Sequence, residues 1–373
     1  MYDFDNPQGE ISGICNYASS GGSSPIIHNC TIDGNEGFYS RGITCYSASP
    51  IIFDCMIGFN IGKSNLYQSG NGIGINCIRG ADPLIERCEI YKNGGLGGGA
   101  GIECRVWCSP IITNCLIWGN HATQRPGGGI RCTELSSPHI MNCTIVDNIT
   151  YSLLGGGGIS IDDDDSSPTI TNCIIWRNTP HSIYYPIGLV HPVVTFSNIQ
   201  GGFTGTGNIN NDPSFVSPGY WRYDYHLQAG SPCIDLETSM DAPGNDKDNV
   251  VRPLDGDGDG MAEVDMGAYE YYGDEDGDGA PERGPFPYYG LFYPYDGNND
   301  GIPDFMQPDV ASFPSDDAES VFTVKAPPGS ILKDVRSPDS GSLPKAPSHI
   351  IHPFGYFSFT VTVDSGQNDN KPL

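Results

Sequence analysis

The sequence predicts an all-β chain whose central part, residues 11–200, winds as a parallel solenoid of six or seven stacked coils. Three observations carry this expectation. Two short strings recur in alternation along the chain. The spacing between copies varies while the strings keep their length. The composition is rich in turn residues, with 50 Gly and 30 Pro among 373 residues, which disfavours a helical bundle.

The longer string reads SPIIHNCTIDGN from Ser24, SPIIFDCMIGFN from Ser49, DPLIERCEIYKN from Asp82, SPIITNCLIWGN from Ser109, SPHIMNCTIVDN from Ser137 and SPTITNCIIWRN from Ser167. The shorter string begins at Gly42, Gly74, Gly101 and Gly129 as GI-x-C, with GISI at Gly158 and a shorter GIC at Gly13. The cysteines of the longer string are 25, 33, 27, 28 and 30 residues apart. Each copy holds short alternating segments broken by Gly, Pro, Ser and Asn, without helix-period apolar stretches. One open loop per coil absorbs the length variation, such as KSNLYQSGNG or YSLLGGGG. Strands so arranged stack about 4.8 Å apart.

Strand alternation sets Ile43 and Cys45 on one face, and likewise Cys55 and Ile57. Stacking turns these positions into two internal cysteine columns, one of Cys45, Cys77, Cys104 and Cys132, the other running from Cys30 to Cys173. Free thiols are expected, because Ile161 continues the first column and a free cysteine packs as a small hydrophobe. Cys108 and Cys233 stand outside the columns. Asn35, Asn60, Asn93, Asn120, Asn148 and Asn178 mark one coil corner, and Asn29, Asn114, Asn142 and Asn172 precede ladder cysteines. Asn tolerates left-handed turns, and its amide satisfies backbone groups that lack a sheet partner.

These strings resemble the right-handed β-helix repeat family over residues 11–200. The resemblance implies a right-handed parallel β-helix, an architecture shared by pectate-lyase-like enzymes, alginate-modifying enzymes, tailspikes and adhesins. Fold alone therefore selects no activity. YHLQAGSPCID from Tyr225 and VDMGAYEY from Val264 resemble a choice-of-anchor-type module of bacterial surface β-helix proteins, and HPFGYFSFTVTV from His352 resembles a second anchor-type module. Four regions follow: the β-helix to residue 200, a cap closing its open end over 201–272, an acidic linker over 273–310, and a small, incomplete β-rich module over 311–373. The same likeness implies an extracellular or bacterial cell-surface location.

The net charge of −27 opposes nucleic acid and anionic lipid and suits divalent cations. No apolar run is long enough to span a membrane. The opening MYDFDNPQGE lacks the basic and apolar regions of a signal peptide, so a processed or incomplete product is expected. Three acidic strings space oxygen ligands at alternate positions and end in Gly, as calcium loops begin. The ligands expected for Ca2+ are Asp255, Asp257 and Asp259 with Asp265; Asp274, Asp276 and Asp278; and Asp296, Asn298 and Asp300 with Asp304. The twelfth positions are Met266, Pro285 and Gln307, so these are not EF-hands. They look more like thrombospondin type 3 or dockerin loops. Asp162 to Asp165 form either a solvated corner or a further cation site.

Two constellations bear on function. Outward positions of the first sheet bring Glu103, Arg105, Arg131 and Asp162 into one patch, with Glu134 beside it. A lyase needs a base and acid-held calcium, and a glycosidase needs paired carboxylates. Tyr91, Trp118 and Trp176 should point outward in one column, where ring faces suit a sugar chain unless the C-terminal module covers them. The expectation is a surface β-helix that binds a polysaccharide or cell-surface glycan. A polysaccharide lyase or glycoside hydrolase, and a plain structural spacer, are the alternatives.

Overall fold

The computed structural model describes residues 12–271 apart from 19–23, 38–39, 64–73, 96–97, 187, 189–190, 220–221, 237–241 and 258–259. Beyond 271 it describes four strands, Val310–Pro314, Val321–Lys325, Ser330–Arg336 and Ser358–Val363. The chain divides into two units, Met1–Tyr271 and Tyr272–Leu373. In the second unit the four strands form two antiparallel pairs.

The first unit is a parallel β-solenoid. Sheets A, B and C have seven strands each, and sheet D has five. Sheet A runs from Ser12–Tyr17 to Ile183–Tyr184, sheet B from Ile26–His28 to Val193–Thr195, sheet C from Thr31–Asp33 to Asn198–Ile199, and sheet D from Glu36–Gly37 to Ile149–Thr150. Each coil visits A, B, C and D in turn. The registers join like to like: Cys45 to Cys77, Cys77 to Cys104, Cys104 to Cys132 and Cys132 to Ile161.

The inward residues make a core of isoleucine and cysteine. Ile52, Ile85, Ile112 and Ile140 line sheet B, and the cysteines from Cys45 to Cys173 are buried and unbridged. Cys115, Cys143 and Cys173 each accept a backbone N–H from the cysteine of the coil before, as Cys115 Sγ does from Cys88 at 3.4 Å. Burial removes the thiolate option, so Cys108 is pushed up to about 11 and Cys233 to about 12. Cys15 is the exposed exception, since its register partner is the outward Thr44.

The corner asparagines form an unbroken ladder. Each side-chain amide donates to the next Asn oxygen, from Asn35–Asn60 at 2.7 Å to Asn148–Asn178 at 3.0 Å. From Asn60 onward the amide also reaches a backbone carbonyl of the preceding coil, as Asn120 Nδ2 reaches Ile90 O at 2.8 Å. Asn29, Asn114, Asn142 and Asn172 all have positive φ. Asn114 and Asn142, however, donate to the C-terminal segment, at Asn245 O and Asp265 O.

The expected end cap divides in two. Residues 203–211 close the tube: Phe203 packs on the core, Asn208 Nδ2 donates to Val194 O, and Ile209 bridges Asn198. Residues 213–271 instead lie along the flank of sheet C. Their Phe215, Tyr225, Leu227, Met266 and Ala268 share one cluster with Leu116, Val146 and Ile174. Gly267 is where the MGAY string meets the tube. A Cβ there would stand 2.8 Å from both Ile174 and Thr144, and its φ of 96° suits glycine alone.

Candidate functional site

The structure brings three of the four expected catalytic residues together and closes them off. Glu103, Arg131 and Asp162 lie on successive coils of sheet A or just past its strand. Arg131 donates Nη1 to Glu103 Oε1 and Nε to Asp162 Oδ2, both at 2.6 Å. Glu103 is fully buried, and Arg131 nearly so. The cover is the glycine-rich loop before each strand. A Cβ on Gly99 would meet Glu103 Cβ at 2.6 Å, and one on Gly127 would meet Arg131 Cβ at 2.6 Å. The patch expected on a solvent face is thus a buried ion triad. Burial opposes the charge of Arg131, but the two carboxylates outweigh it and raise its pKa. Arg105 is half-buried at the end of its strand, outside the triad. The aspartate run is also absorbed into the corner: Asp162 joins the triad, and Asp163 accepts the backbone N–H groups of Glu134, Asp165 and Ser166.

The outward aromatic column exists but is covered. Tyr91 stacks on Trp118 at 5.5 Å, and Trp118 lies 4.1 Å from the Tyr223 ring of the flanking segment. Trp118 donates Nε1 to Glu89 at 2.8 Å, and Lys92 sits over the Tyr223 ring at 4.3 Å. Trp176 packs against the same cluster while partly exposed. Tyr91 and Trp118 therefore dock the flanking segment and offer no open platform. The physical reason is that the middle of sheet C carries Tyr91, Leu116, Trp118, Val146 and Ile174 outward, an apolar surface that something must cover.

Exposed aromatics lie instead on the corner between sheets A and B. Tyr17 stacks on Tyr46 at 4.8 Å, and the Arg79 guanidinium covers the other ring at 5.2 Å. Trp107, one coil below Arg79, is 65% exposed, and Leu135 below it is 50% exposed. This corner takes two successive left-handed residues: Arg79–Gly80 (φ 57° and 69°), Val106–Trp107 (62° and 60°) and Glu134–Leu135 (55° and 63°). Trp107 lies outside both repeat strings, so the sequence pattern did not single it out.

A family model described as right handed beta helix region matches residues 12–199, just over half of the chain. The chain belongs to this right-handed β-helix family. No curated protein and no solved structure matches it at a significant level.

The flanking segment of this β-helix carries two charged centres. Asp246, Arg252, Asp265 and Glu270 form a buried network: Arg252 Nε lies 3.0 Å from Glu270 Oε2, Asp246 Oδ2 accepts Glu270 N, and Asp265 Oδ1 accepts Asp235 N. Burial pushes Glu270 up to about 7 against the pull of Arg252. Nearby, His226 bridges Asp224 at 2.6 Å and Asp248 at 2.9 Å, with the Tyr269 ring 3.9 Å away. Burial alone would lower its pKa, but the two aspartates win and raise it to about 10.

Asp235, Asp255 and Asp257 bring one carboxylate oxygen each within 4.8 Å of one another. Asp265, expected in this set, is occupied elsewhere, with its oxygens on the backbone of Asp235 and Tyr271. Asp235 replaces it, contributed by the SPCID string. Its Oδ2 accepts Asp257 N at 2.6 Å, while Oδ1 is buried without a partner among the described residues. Three hard oxygen donors and one orphaned carboxylate oxygen fit Ca2+. Asp259 and the strings at Asp274, Asp276, Asp278, Asp296, Asn298, Asp300 and Asp304 lie outside the described residues.

Proposed function

We propose that this β-helix is a secreted or cell-surface protein that binds an extended polysaccharide without cleaving it. The contact runs along the corner between sheets A and B. The observation that carries this reading is Trp107. A left-handed backbone costs an ordinary residue about 1–2 kcal/mol, and Gly80 at the matching position avoids that cost. A tryptophan held there with most of its ring in water is poor for the fold and suited to stacking on a sugar. Tyr17, 51% exposed, lies three coils above, about 14 Å along the tube, within the span of three sugar units. The burial of Glu103 and Arg131 favours binding over lyase or hydrolase chemistry. The net charge of −27 argues against nucleic acid, and no helix among the described residues is long and apolar enough to cross a membrane.

Affinity electrophoresis on neutral and uronate-containing polysaccharides tests this. Wild type is expected to be retarded on at least one. Trp107→Gly is expected to lose at least tenfold in affinity with an equal or higher unfolding midpoint. Retention that Trp107→Gly leaves intact counts against this corner, and product release by wild type would overturn the reading.

Calcium at Asp235, Asp255 and Asp257 is part of the same proposal. The ion ties the SPCID turn to the following acidic loop and relieves repulsion among three carboxylates. Millimolar Ca2+ is expected to raise the unfolding midpoint of wild type but not of Asp235→Asn. An equal response in both proteins would remove Asp235 from the site.

A further inference from the structure

The corner that carries Trp107 repeats one backbone device on three coils. Its second left-handed position is Gly80, then Trp107, then Leu135, at φ of 69°, 60° and 63°. Gly80 N donates to Val106 O and Trp107 N to Glu134 O, both at 2.9 Å, so these positions stack coil on coil. Glycine takes such a backbone without strain, and leucine does not. Leu135 is 50% exposed, so its side chain gives the fold little burial to set against that strain. Glu134 stands exposed beside it. Leu135 therefore shares with Trp107 both the strained backbone and the open side chain, one coil further along.

We propose that Leu135 is a specificity residue, and that the sugar lying over it carries a methyl group and no carboxylate. This rests on the reading of the same corner as a polysaccharide site. Coils rise about 4.8 Å, close to the length of one sugar unit. A sugar stacked on Trp107 therefore places its neighbour over Leu135. A leucine side chain gains from covering a methyl and has no hydrogen bond to offer a hydroxyl or a carboxylate. Glu134 repels a carboxylate at this position, and the net charge of −27 acts in the same sense. Arg79 lies over the Tyr46 ring on the other side of Trp107, so an acidic sugar in the same polymer belongs at that end. The matching ligands are 6-deoxy sugars and acetylated sugars, which share the methyl group. One methyl in an apolar contact changes affinity about fourfold.

Titration calorimetry of the full chain tests this with four oligosaccharides, of glucose, of a 6-deoxyhexose, of N-acetylglucosamine and of galacturonate. At least one methyl-bearing oligomer is expected to bind about fourfold or more tightly than the glucose oligomer, and galacturonate the most weakly. The 6-deoxy and N-acetyl arms show which source of the methyl is taken. Leu135→Asn is expected to lose that preference while changing affinity for the glucose oligomer less than twofold. Its unfolding midpoint should be equal or higher, because Asn tolerates the left-handed backbone. Glucose binding as tight as both methyl-bearing oligomers, an equal loss on all oligomers in Leu135→Asn, or a lowered midpoint overturns the proposal. If Trp107→Gly abolishes binding that shows no methyl preference, the corner remains the polysaccharide site and the role of Leu135 falls alone. Absence of binding to all four oligomers removes both.

Discussion

Arg131 links three coils through one side chain. It holds Glu103 above and Asp162 below, under a glycine loop that leaves no room for a larger residue. Removing it strands Glu103 as a buried carboxylate whose second oxygen already has no partner among the described residues. Taking one member from a buried ion pair costs about 3–5 kcal/mol, mainly through the charge left behind. Arg131→Met is therefore expected to destabilise the chain by about 3–5 kcal/mol in urea unfolding. Adding Glu103→Gln should recover part of that loss. A loss below about 1 kcal/mol in the single variant would show that water or another cation reaches Glu103. Polysaccharide affinity, read at a temperature where both proteins are folded, should not change.

At the level of strands and corners, most of the molecule was legible from sequence. The inward isoleucines, both thiol columns and the asparagine ladder follow from strand alternation and from strings that recur in register. The same alternation placed Glu103 with Arg131, and Tyr91 with Trp118, on outward positions. It could not say what lies over them. Burial outside the tube depends on loops and on a segment more than a hundred residues downstream, and no periodicity encodes either. The close approach of Gly99 and Gly127 to Glu103 and Arg131 is likewise visible only in the folded chain. Asp235 was missed as a member of the carboxylate cluster with Asp255 and Asp257 because it belongs to the SPCID string and reaches the acidic loop only through folding. Trp107 was missed because it sits in the corner between two strings, where copies differ.

For the whole first unit, stability should follow the protonation of the flanking segment. This segment covers sheet C, so its release would expose Tyr91, Trp118, Val146 and Ile174 together. His226 has a folded pKa raised from 6.5 to about 10, so its contribution is complete below about pH 6.5 and disappears as pH rises through 10. Glu270 is raised from 4.5 to about 7, the reverse of the usual carboxylate case. The folded state holds that proton more tightly, and stability falls as pH rises from about 4.5 to 7. Both groups act in the same direction, and the growing negative charge of the chain adds to them. About a third of the His226 side chain meets solvent, which tempers its share. The unfolding midpoint is therefore expected to fall steadily from pH 5 to pH 10. Glu270→Gln should flatten the limb below pH 7, and His226→Gln the limb above it. The accompanying rise in tryptophan exposure should track the midpoint, because Trp118 is uncovered when the segment leaves. A midpoint that climbs between pH 5 and pH 8 would mean that ionised carboxylates stabilise the segment, and that Arg252 outweighs burial at Glu270.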